Sequence, residues 1–234
     1  MALVIKICGL TTAQALESAL EAGADWVGFV FFPPSPRNIS TAAAGLLARP
    51  AAGRARKVAV MVDPDDGLVE EVVDALHPDV LQLHGSESAQ RLTVLRARFG
   101  LPVIKALPVG HAGDLAKVAA YMTIADHLLF DARPPRDATR PGGLGKPFDW
   151  SLLAKLHADI RFFLSGGLDA GNVAEAIAAT RPFGVDVSSS VEGAPGVKDP
   201  AKVRTFVHAA RTAARATTER ESHPASSKAI STSL

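Results

Sequence analysis

Apolar residues in this chain gather into short, nearly unbroken runs. Turn residues and stretches of helical periodicity separate them. The runs are LVIKIC (3–8), WVGFVF (26–31), KVAVMV (57–62), VLQL (80–83), PVIKAL (102–107), HLLFD (127–131), RFFLS (161–165) and GVDVS (184–188). Strands that stay apolar throughout are covered on both faces, as in parallel sheets. Between the runs, Thr12 caps a helix through ALESALEAG that ends at Gly23. Ser86-Glu87 opens ESAQRLTVLRARFG, which ends at Gly100. Asp169 or Asn172 opens NVAEAIAAT, and Asp199-Pro200 opens AKVRTFVHAARTAA. Eight strand–helix units in this length predict an α/β fold, a single (β/α)8 TIM barrel over residues 1–215. An open doubly wound sheet is the alternative. It would use fewer strands, and nothing like GxGxxG follows the first run.

Two segments fall outside the repeat. RPPRDATRPGGLGKP (133–147) is long for a connection in a compact domain, and such loops are usually lids or binding loops. Residues 216–234 are polar, rich in Ser and Thr and without apolar periodicity, and are expected to form a disordered tail. Net charge is +1 with both signs mixed, so no nucleic-acid or membrane-surface partner is expected. No apolar run reaches the ~18 residues of a membrane span, and no signal peptide is apparent. A single cysteine forbids an internal disulfide and a thiolate zinc cluster and fits a reducing, cytoplasmic setting. The histidines are scattered without HxxxH or HExxH spacing, so no metal site is expected.

A TIM barrel builds its active site at the C-terminal ends of its strands. Strand one ends in Cys8, strand two is followed by Ser35-Pro36-Arg37, and strand three ends at Asp63. Strand four supplies Gln82 and His84, and strand six ends in Asp131. SGGL (165–168) and DVSSSVEG (186–193) close strands seven and eight. Glycine lets a backbone approach a ligand closely, and the last two loops often hold a phosphate in this fold. Gly166, Gly167, Ser188 and Ser189 on adjacent strands therefore point to phosphate rather than to tight turns alone. Spacing alone leaves Cys8 and Asp131 open between an acid–base pair and ordinary packing and turn-capping roles. Lys6 and Lys105 could favour a Cys8 thiolate, and an apolar mouth would raise the Asp131 pKa. Arg37 could hold a carboxylate in bidentate fashion, although a solvated arginine is the commoner case. His84 could line the mouth or be structural.

Read in order, KICGLT, GFVFFPPSPRNIS, VAVMVD, LQLHG, VIKAL, LLFDARPP with PGGLGKPFDW, FFLSGGL and VDVSSSVEGAPGVKD resemble the phosphoribosylanthranilate isomerase family of tryptophan biosynthesis over residues 3–210. The resemblance implies an Amadori rearrangement of N-(5-phosphoribosyl)anthranilate to 1-(2-carboxyphenylamino)-1-deoxyribulose 5-phosphate. It implies Asp131 as general acid on the ribose ring oxygen and Cys8 as general base on the C2′ proton. Arg37 would hold the anthranilate carboxylate, and Gly166, Gly167, Ser188 and Ser189 the phosphate. His84 and Asp186 match mouth-lining positions, and Gln82, from its place on strand four, could line the mouth beside them. It implies no cofactor, a small phosphorylated substrate as partner, and a monomer or homodimer. Two positions depart from the family pattern: Ser190 stands for the usual glycine, and Leu144 for the usual Thr or Ser. A histidine-pathway isomerase would carry an aspartate at position 8, and an epimerase would need metal-binding histidines. A binding module that had lost catalysis would keep the glycine loops without Cys8 and Asp131.

Overall fold

The computed structural model describes residues 2–134, 138, 141–142, 147–156 and 159–222. Eight parallel strands close into a barrel in chain order. They are β1 (Val4–Cys8), β2 (Trp26–Phe31), β3 (Arg56–Met61), β4 (Val80–Leu83), β5 (Val103–Val109), β6 (His127–Ala132), β7 (Phe162–Leu164) and β8 (Gly184–Val187). Each strand falls on one of the eight apolar runs. The helices are α1 (Ala13–Ala22), α2 (Thr41–Leu47), α3 (Asp66–Leu76), α4 (Ala89–Phe99), α5 (Val118–Tyr121), α6 (Val173–Thr180) and α7 (Pro200–Ser222). After β8, a 3-10 turn (Ser189–Val191) leads into a small hairpin of β9 (Glu192–Ala194) and β10 (Val197–Lys198).

The runs are apolar on both faces because both faces are buried. Ile5, Ile7, Val27 and Phe29 point outward and pack under the helices, in the larger core. Val30, Val58, Val60, Val80, Ile104 and Leu129 fill the barrel interior. Successive side chains alternate across a strand. The residues two apart from these interior positions therefore reach the mouth: Cys8 after Lys6, Gln82 after Val80, and Asp131 after Leu129. At the opposite end, Trp26, Phe163, Phe183 and His127 plug the barrel; His127 stacks on Phe183 with ring centroids 4.4 Å apart.

Thr12 caps α1 by accepting from the Ala15 amide, and Gly23 ends it at φ 87°. Asp199 accepts from the Ala201 amide at the start of α7. Two boundaries differ from the sequence reading. The fourth helix starts at Ala89, capped by Ser88, rather than at Ser86-Glu87. Glu87 is withdrawn because its carboxylate accepts from the amides of Asp63 and Gly85 and from Lys105. The last helix runs to Ser222, past the boundary expected at 215. Ala and Arg are strong helix formers, and helical hydrogen bonding propagates beyond the last packed turn. Residues 223–234 of the expected tail lie outside the described residues. Among the described residues, no helix is long and apolar enough to cross a membrane.

Candidate active site

A cavity of about 360 Å³ opens at the C-terminal ends of the strands. Ten of the residues expected there line it: Cys8, Arg37, Gln82, His84, Asp131, Gly166, Gly167, Asp186, Ser188 and Ser189. Asp63 does not; at φ 46° it turns its carboxylate to the Ser86 amide.

Cys8 is 7% exposed. Its neighbour in register on β2 is Gly28, and a Cβ there would sit 3.0 Å from Cys8 Sγ and 3.4 Å from Lys6 Nζ. The missing side chain leaves room for thiol and ammonium together. Lys6 is wholly buried, and its Nζ donates to Asp186 Oδ1 at 2.7 Å. Ser165 Oγ donates to the other Asp186 oxygen at 3.3 Å. Burial pushes the Cys8 thiol above its ordinary pKa, against the pull of Lys6 and Lys198. Burial opposes the Lys6 charge, but Asp186 outweighs it and holds the ammonium protonated. The resting thiol therefore keeps its proton, beside the buried Lys6 ammonium. Lys105 takes no part. It points outward and donates to Glu87 Oε2 and the Gly85 carbonyl, both at 2.7 Å.

Asp131 is 4% exposed. Its Oδ1 accepts from the Ala132 amide at 2.9 Å, and its Oδ2 lies 3.2 Å from His84 Nε2. Gly142 comes back over it: a Cβ there would fall 2.2 Å from Asp131 Oδ2. The long loop after β6 thus returns to the mouth. Leu144, in the same loop, lies outside the described residues.

Arg37 is buried, not solvated. Its Nε and Nη2 donate to Glu192 Oε1 and Oε2 at 2.7 and 2.9 Å. Lys198 Nζ donates to the same Oε1 at 2.7 Å and to the Ser188 carbonyl at 2.9 Å. Burial favours neutral Glu192, but these two cations outweigh it and hold the carboxyl below the usual range. One carboxylate thus ties the arginine to a loop of the glycine–serine cradle. The Arg37 Nη1 group makes no hydrogen bond among the described residues.

Gly166 and Gly167 adopt φ of 85° and 69°, where only glycine is unstrained. Ser188 Oγ donates to the Cys8 carbonyl at 3.0 Å, and Ser190 Oγ donates to the Leu168 carbonyl. The hydroxyl at position 190 thus ties the two loops together at the edge of the cavity. Sequence reasoning missed Glu192 and Lys198. Their one signal was position: both follow the eighth run within a dozen residues, in a stretch read only as a loop.

Residues 5–209 match the family model for N-(5'phosphoribosyl)anthranilate (PRA) isomerase. N-(5'-phosphoribosyl)anthranilate isomerase of Nitrobacter winogradskyi is 57% identical over 223 residues, 95% of this chain and 99% of that one. Its counterpart in Bradyrhizobium diazoefficiens is 56% identical over 211 residues, 90% of this chain and 95% of that one. The solved phosphoribosyl anthranilate isomerase of Thermotoga maritima superposes with a TM-score of 0.82 at 36% identity, covering 90% of this chain and 99% of that one. Another, in complex with reduced 1-(o-carboxyphenylamino)-1-deoxyribulose 5-phosphate, superposes with a TM-score of 0.79 at 33% identity, covering 90% and 99%. With fold, match length and cavity in agreement, the chain belongs to the phosphoribosylanthranilate isomerase family.

Proposed function

We propose that Cys8 is the general base and Asp131 the general acid in the family's Amadori rearrangement of N-(5-phosphoribosyl)anthranilate. The observation that carries this reading is that both side chains line one cavity, on strands that β7 and β8 separate. A sugar between them meets an acid on one side and a base on the other.

Asp131 protonates the ribose ring oxygen, and the C1′–O bond breaks to leave an iminium. The Cys8 thiolate removes the C2′ proton, and the electron pair flows to the iminium nitrogen. The enolamine then tautomerises to the ketone. The iminium is its own electron sink, so the chemistry calls for no metal or organic cofactor. Burial keeps the resting Cys8 protonated, so the base forms by release of that proton to water, with Lys6 and Lys198 favouring the thiolate left behind. Such paired groups need opposite protonation states at one pH, which their surroundings set.

The phosphate would rest on Gly166, Gly167, Ser188 and Ser189, with Asp186, Gln82 and His84 lining the sugar. Arg37 would offer Nη1 to the anthranilate carboxylate while Glu192 holds the rest of its fork. The reading carries with it a cytoplasmic enzyme working as a monomer or homodimer; a T. maritima relative is described as dimeric, and monomers have been made from it.

The test is a fluorescence assay of phosphoribosylanthranilate consumption with purified protein. The wild type should turn over, and Cys8→Ala and Asp131→Asn should each lower kcat by about 10²-fold or more. Near-wild-type turnover in either variant rejects its assigned role.

A further inference from the structure

Gln82, His84 and Asp131 form one hydrogen-bonded chain from β4 to β6. Gln82 Nε2 lies 3.1 Å from His84 Nδ1, and His84 Nε2 lies 3.2 Å from Asp131 Oδ2. Gln82 is wholly buried, and its Oε1 has no hydrogen-bond partner among the described residues. A bare buried acceptor is uncommon and costs stability, so it calls for a reason.

The direction of the chain supplies one. With Asp131 ionised, its carboxylate only accepts, and His84 then carries its proton on Nε2. A neutral ring then presents a lone pair at Nδ1, and that lone pair needs a donor. The Gln82 amide nitrogen is that donor. With the nitrogen turned to His84, the oxygen is left without a partner among the described residues. The bare Oε1 is thus the consequence of fixing the ring.

We propose that Gln82 is a positioning residue for the isomerisation: its amide holds neutral His84 in the Nε2–H tautomer, so that His84 anchors the Asp131 carboxyl. The proposal rests on the reading of Asp131 as the acid. Oδ1 is held by the Ala132 amide at 2.9 Å, and His84 holds Oδ2; together they fix the carboxyl plane. An acid that must reach one ring oxygen gains from a fixed plane.

The experiment is nitrogen NMR of the full-length protein labelled at histidine, without substrate and at mildly alkaline pH. The wild type should show His84 protonated at Nε2 and bare at Nδ1. A ring protonated at Nδ1, or at both nitrogens, overturns the proposal. Gln82→Met removes the donor at similar volume. It should yield a mixture of tautomers and lower kcat about tenfold, with KM changed less than about threefold. An unchanged tautomer with unchanged kcat also overturns it. If the wild type fails to consume phosphoribosylanthranilate, the functional reading falls; the tautomer result then stands or falls by itself.

Discussion

Lys6 and Asp186 are register partners across the seam where β1 meets β8, and their charged atoms are 2.7 Å apart. Lys6 is fully buried and Asp186 is 5% exposed, directly beneath the mouth. The pair places a net-neutral unit in the barrel interior with its cation beside Cys8. Removing one member of a buried pair strands the other charge, and costs about 3–5 kcal/mol. Lys6→Met should therefore lose about that much stability in urea titration. The double variant Lys6→Met with Asp186→Asn should recover a large part of it, because no buried charge is left alone.

Glu192 holds Arg37 and Lys198 at once, so Glu192→Gln should cost about 3–5 kcal/mol at neutral pH. Its carboxyl titrates below the usual 4.5 in the folded protein. The stability it gives is present above that value and is lost as pH falls through its lowered folded pKa. Unfolding curves taken from neutral pH downward should show this acid loss in the wild type and a flatter profile in Glu192→Gln. Arg37→Ala should raise KM for phosphoribosylanthranilate about tenfold or more, the worth of a charge-assisted contact.

Gly166→Ala should damage both stability and turnover. The position has φ 85°, and a Cβ would lie 2.3 Å from the Ala132 amide nitrogen and 3.0 Å from Asp131 Oδ1. Left-handed strain alone is worth about 1–2 kcal/mol, and the backbone clash adds to it. Gly23→Ala is the control. Its φ is 87°, but nothing lies within 4 Å of the added carbon. It should cost only the strain, with kcat unchanged. Thermal unfolding and the fluorescence assay read the two effects separately.

His127, in the plug at the far end of the barrel, has its pKa lowered from 6.5 to about 4, chiefly by burial, with Arg161 adding to it. The unfolded chain binds this proton first, so the stability His127 allows is complete above pH 6.5 and declines as pH falls toward 4. His127→Phe keeps a ring to stack on Phe183 and removes the titration. Stability of this variant should depend less on pH between 6.5 and 4 than that of the wild type. An equal slope in both proteins would mean that other groups set the acid limit.

Local order was legible in the chain because local rules produce it. The eight buried runs, the Thr12 and Gly23 caps and the Asp199 start of the last helix follow from side-chain size, hydrogen-bonding capacity and glycine freedom. Those rules also put Cys8, Gln82 and Asp131 at strand ends, and ordered motifs pointed to the family. Closing the barrel then made one mouth of residues more than a hundred positions apart. What it paired with what was not legible. Lys6 and Lys105 read alike in the chain, but alternation turned one inward to Asp186 and the other outward to Glu87. Arg37 read as a carboxylate clamp or a solvated arginine, and nothing in the chain showed that Glu192, 155 residues later, comes within 2.7 Å. Charge pairing depends on distance through space, and closure of the sheet alone sets that distance.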